Sequence, residues 1–151
     1  MKRIAFPILA LAFALTATAS FAAEWRSDYD KALADAKAAN KYVLLDFNGS
    51  DWCGPCIEMK KVVFSKPAFL TYASKNLILV DVDYPQRKKL SEAVTKQNER
   101  LAKQYDIERS GYPTVVLLDP SGKVLGRLEG YMGETPADMI AWVEKAKKKG
   151  G

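Results

Sequence analysis

The chain has 151 residues, 48% apolar and 27% charged, with a formal net charge of +5, two cysteines and no histidine. That balance fits one globular domain large enough for its own core. It excludes a Cys/His zinc centre within one chain, because two cysteines cannot fill four ligand positions. It also excludes a nucleic-acid surface, because no stripe of Arg and aromatic residues accompanies the mild charge.

Residues 1–22 read as an export signal. Lys2 and Arg3 open it, Ile4 to Leu15 is apolar, and Ser20-Phe21-Ala22 fits the small-x-small cleavage pattern. Ala17-Thr18-Ala19 is a second possible cleavage site. An uncleaved anchor is the alternative, since no charge occurs from Ile4 to Ala23. Pro7, Thr16, Thr18 and Ser20 weaken that alternative. The expectation is therefore a cleaved leader, no stable membrane anchor afterwards, an exported and periplasmic location, and one domain over residues 23–151.

Ser27-Asp28-Tyr29-Asp30 opens a helix as a variant capping box, and Asn40 can end it. Tyr42 to Phe47 is a short, nearly continuous apolar run, as expected of a parallel strand buried on both faces. A helix follows from Cys53 to about Phe64, with Pro55 tolerated in its first turn. Pro67 starts another, and Leu77 to Val82 is a second buried strand. Leu90, Val94, Leu101 and Tyr105 mark an amphipathic helix from about Arg87 to Tyr105. Thr114 to Leu118 is a third strand, Asp119-Pro120-Ser121-Gly122 a type I turn, and Val124 to Leu128 the returning strand. Thr135-Pro136 caps a last helix with Met139, Ile140, Val143 and Ala146 inward. The order predicts an α/β fold with a mixed central sheet of about four strands and helices on both faces.

The chemistry lies in Trp52-Cys53-Gly54-Pro55-Cys56, which holds both cysteines. At the start of a helix, residues three apart share a face, so two thiols can close and reopen a small disulfide ring. Helix starts favour negative charge, which makes Cys53 the candidate nucleophile and Cys56 its resolving partner. A purely structural disulfide closing so short a loop would stabilise little. Covalent haem attachment would need His after the second Cys, and Ile57 stands there. Asp46, inside an apolar strand, is costly to bury charged. Two readings stay open for it: a base with a raised pKa for the Cys56 proton, or a strand-end cap for the loop. Lys60 and Lys61 read as solvated residues of a helix face.

Two motifs resemble those of the thioredoxin superfamily. Trp52 to Cys56 matches its active-site motif letter for letter, and Gly111-Tyr112-Pro113-Thr114, just before a strand, is similar to its cis-proline loop. The strand and helix order fits across Tyr42 to Lys147. Phe47 to Trp52 points to the exported group resembling the C-terminal domain of the transmembrane disulfide reductase. The resemblance implies a thioredoxin fold, a cis bond before Pro113, and a substrate groove formed by Trp52, Gly54, Pro55, Gly111, Tyr112 and Pro113. Core packing is the other reading for Tyr112, and Trp52 is expected to pack as a lid beside the pair. Two departures stand out. Asp46 lies seven positions before Cys53 rather than six, and Leu77 to Val82 carries no lysine.

The resemblance implies an exported thiol–disulfide oxidoreductase that reduces protein disulfides. It needs no bound cofactor and draws electrons from a membrane disulfide reductase. Gly-Pro between the cysteines resembles reductants; strong oxidants and isomerases of the fold usually place His there. The rivals are an oxidase or isomerase of the same fold, separated by reduction potential, and a non-catalytic binding module. Burial of both cysteines would favour the module.

Overall fold

The computed structural model describes residues 23–150. The expected signal at residues 1–22 lies outside them. Among the described residues, no helix is long and apolar enough to cross a membrane.

Five strands form one mixed sheet. They are β1 (Trp25–Arg26), β2 (Tyr42–Asn48), β3 (Leu77–Asp83), β4 (Thr114–Leu118) and β5 (Val124–Glu129), in the spatial order β1-β3-β2-β4-β5. β3 runs parallel to β1 and β2, while β4 runs antiparallel to β2 and β5. The strand beyond the expected four is β1. It is two residues long and is defined by pairing with Leu79 and Val80, a long-range contact that no local pattern encodes.

The helices follow their caps. Asp28, not Ser27, caps α1 (Tyr29–Ala39), accepting a hydrogen bond from the Lys31 backbone N–H, and Asn40 closes it in the left-handed region at φ 50°. α2 (Gly54–Met59) continues into a π-helical turn, Lys60–Phe64. α3 is Pro67–Asn76. α4 is Glu92–Gln104, starting at its Ser91 cap rather than near Arg87. α5 is Ile107–Ser110 and α6 is Pro136–Gly150.

The central strands are buried on both faces, so the core has two halves. Val43, Leu45 and Phe47 of β2 pack with Tyr29, Ala32 and Ala36 of α1 and Leu101 of α4. Leu44 packs on the other side with Met59, Val63, Phe64, Phe69, Met139 and Val143. Strand alternation places Asp46 and Asn48 on the face of Leu44, beneath α2. The fold therefore sets a carboxylate under the helix that carries the cysteines.

Candidate active site

Cys53 caps α2 from an extended backbone, φ −86° and ψ 100°. Its own N–H donates to the Gly49 carbonyl at 2.9 Å, and its carbonyl accepts from Ile57 N–H at 3.0 Å. The Cys53 sulfur accepts a hydrogen bond from the Cys56 backbone N–H at 3.3 Å. Cys53 and Cys56 are joined as a disulfide, with Cα atoms 5.3 Å apart. The two residues are only 5% and 4% exposed. Gly54 and Pro55 between them are exposed, and a Cβ added at Gly54 would meet nothing within 4 Å.

The loop from Gly49 to Trp52 is held at several points. The Ser50 backbone N–H and hydroxyl both donate to the Asp83 carboxylate, at 2.8 and 2.7 Å. The Asp51 carboxylate accepts from the backbone N–H groups of Gln86 and Arg87, at 2.9 and 2.7 Å. Those bonds, Gln86 first, hold the Asp51 carboxyl below its ordinary range. The loop between Asp46 and Cys53 is thus tied to the end of β3 and the connection beyond it.

Trp52 lies across Gly49, where any Cβ would collide with its indole. Its Nε1–H donates to the Tyr84 carbonyl at 2.7 Å. Tyr112 packs against both Trp52 and Tyr84, with ring centroids 5.5 and 5.3 Å away. Burial raises both phenols above their ordinary value, so both are neutral at physiological pH. The Tyr112–Pro113 bond is cis. Gly111 ends α5 at φ +76°, a conformation suited to glycine. Its carbonyl accepts from the Thr114 hydroxyl, and the Pro113 carbonyl accepts from Gly130 N–H, both at 2.8 Å. The structure therefore joins the Trp52 loop to the Pro113 loop through aromatic contact.

Asp46 is 3% exposed. Burial raises its pKa to about 7; Lys60 opposes the rise, while Asp81 and Asp83 add to it. Strand register sets Asp46 opposite Asp81, and Asn48 opposite Asp83. The Asn48 amide donates to the Asp46 carboxylate at 3.3 Å and to the Asp81 carboxylate at 2.6 Å. Lys60 is not simply a solvated face residue. Its ammonium lies 3.9 Å from the Asp81 carboxylate and 3.8 Å from the centre of the Trp25 ring. Lys88 pairs with Asp83 at 2.8 Å. Sequence reasoning missed Asn48, Asp81, Asp83 and Lys60. The available signal was Asp at alternate positions on one of two strands expected to be neighbours.

The thioredoxin-like family model matches residues 24–120, more than half of the chain. The disulfide bond reductase DsbH of Chlamydia pneumoniae is 36% identical over 124 residues, covering 82% of this chain and 70% of that protein. A solved structure of a DsbH oxidoreductase superposes with a TM-score of 0.77 at 33% identity, covering 86% of this chain and 88% of the other. The C-terminal domain of Neisseria meningitidis DsbD, in its oxidised form, shares the fold with a TM-score of 0.56. It is 24% identical, over 78% of this chain and 90% of that domain.

Proposed function

This chain belongs to the thioredoxin-like family and is a thiol–disulfide oxidoreductase; we propose that it works in an exported compartment, reducing protein disulfides. The observation that carries this reading is the Cys53–Cys56 pair, closed across the first turn of α2 with a backbone N–H on the Cys53 sulfur.

In the reduced enzyme, that donor and the helix start favour Cys53 as thiolate. The thiolate attacks one sulfur of a substrate disulfide. A Cys53–substrate disulfide forms and the other substrate sulfur leaves as thiolate. Cys56 then gives its proton to the Asp46 carboxylate and attacks the Cys53 sulfur. The second substrate sulfur leaves, and the enzyme pair, now a disulfide, has given up the two electrons that the substrate has gained. Trp52, Gly54, Pro55, Gly111, Tyr112 and Pro113 form the groove that receives the substrate chain. The electrons reside in sulfur throughout, so the cycle needs no bound cofactor. A membrane disulfide reductase returns the pair to the dithiol. Cleavage after Ala22 frees the domain from the membrane.

The near-complete cover of both cysteines is the feature that would favour a binding module. The exposed Gly54 and Pro55 beside them, and the reductase named among the relatives, weigh for catalysis. An insulin-reduction assay with dithiothreitol separates these readings. The protein accelerates precipitation of the insulin chains, and Cys53→Ser does not; equal rates would remove the enzymatic reading. Equilibration with glutathione gives the direction. The pair is expected nearer the thioredoxin value of about −270 mV than the oxidant extreme of about −120 mV, and a result above about −150 mV would favour the oxidase or isomerase.

A further inference from the structure

The role of Asp46 as proton acceptor leaves a physical question: what keeps a nearly covered carboxyl able both to take and to release a proton? Burial alone would drive it toward the permanently neutral form. The groups around it divide into two opposing sets. Asp81 and Asp83 project from β3 on the same face as Asp46. Lys60 comes from the π-helical turn, where its backbone N–H bonds to the Cys56 carbonyl one turn away. Lys88, from the connection after β3, is taken up by Asp83. Val115, opposite Asp46 on β4, brings no charge.

Among these, Asp81 has the closest structural tie to Asp46. It is the β3 register partner, and one Asn48 amide nitrogen bonds both carboxylates. Their solvent access differs. The Asp81 side chain is one-third exposed, and it lines a cavity of about 220 Å³ shared with Trp25, Asp83 and Lys88, whereas Asp46 does not line that cavity.

We propose that Asp81 is a positioning residue for the resolving step: fixed opposite Asp46, joined to it through Asn48 and counterbalanced by Lys60, it governs when Asp46 can take the Cys56 proton. This rests on the reading of Asp46 as the acceptor. The negative charge of Asp81 makes Asp46 a stronger base, and Lys60 limits that effect from the helix that carries Cys56. Asp81 and Lys60 both reach solvent, while Asp46 does not.

Two readouts on the full domain test it. One is the titration of the Asp46 side-chain carboxyl by carbon NMR in the oxidised protein, which needs no turnover. The other is the pH profile for resolution of a preformed Cys53–glutathione mixed disulfide. Asp81→Asn is expected to move both midpoints down by about one pH unit, since a like charge is lost. Lys60→Met is expected to move both up, and Lys60→Arg to restore them. Unmoved Asp46 titration in Asp81→Asn would overturn the proposal, whatever Lys60→Met does. So would a moved titration with an unmoved resolution profile. In that last case Asp46→Asn tells the two failures apart: a normal resolution rate means that Asp46 is not the acceptor, and a slowed rate means that only the role of Asp81 is wrong. If Asp81→Asn does not fold, Asp81→Ser removes the same charge and is expected to lower both midpoints, and unmoved midpoints in that variant would overturn the proposal.

Discussion

The indole of Trp52 meets the ring of Tyr112 edge to face, with planes at 84° and centroids 5.5 Å apart. Residues sixty positions apart in sequence thereby join the loop before Cys53 to the loop containing Pro113. Edge-to-face pairs of this kind contribute roughly 0.5–1.5 kcal/mol beyond buried area. The Trp52 N–H on the Tyr84 carbonyl fixes the indole from its other end.

Gly49→Ala tests that arrangement. The new methyl would occupy the space of the indole, so Trp52 must swing away and lose both Tyr84 and Tyr112. A loss of about 1–3 kcal/mol is expected, the usual cost of overpacking. The Trp52 indole resonance should shift in a proton–nitrogen NMR spectrum. Gly54→Ala, which meets nothing, should leave stability near that of the parent. Equal stability of the parent and both variants would show that Trp52 is not held as described.

The two cysteines should separate cleanly in a trapping experiment. Cys56→Ser keeps the attacking sulfur but removes the one that resolves, so mixed disulfides with partners accumulate on a non-reducing gel. Cys53→Ser should trap few. The opposite pattern would reverse the assigned roles, and the trapped partners would identify substrates.

Asp46 should make stability depend on pH in an unusual direction. Its folded value of about 7 lies above the ordinary 3.8. Between those values the native protein keeps a proton that the unfolded chain has released. Stability from this group is therefore fullest below about pH 4, falls as pH rises toward 7, and levels off above it, at roughly 1.4 kcal/mol per pH unit crossed. Asp46→Asn should flatten that slope in urea titrations between pH 4 and 8, and should be the more stable form at pH 8. A parallel slope in parent and variant would mean that Asp46 ionises normally.

The sequence made the central strands legible because each is a short apolar run bounded by turn residues. It made the redox pair legible because both cysteines occur in one five-residue motif. β1 was not legible: Trp25 and Arg26 become a strand through their register with Leu79 and Val80. Nor was the carboxylate network. Asp81 interrupts an otherwise apolar strand, and its significance appears when β3 lies beside β2 and brings it opposite Asp46. Lys60 was read as exposed because it sits on a helix beside Lys61. The π-helical turn begins at that residue, and its side chain reaches Asp81 and the Trp25 ring. The loop anchors at Ser50 and Asp51 escaped for the same reason, since their partners lie more than thirty residues away.

The chain's cysteine count has a consequence for how the protein is made. With only Cys53 and Cys56, there is a single intramolecular pairing to form, so oxidation during folding offers no scrambled isomers. The sheet is clamped between two aliphatic and aromatic layers rather than by cross-links. The Cys53–Cys56 bond joins residues only three apart and belongs to neither core layer, so opening it in a catalytic cycle removes no long-range tie from the architecture.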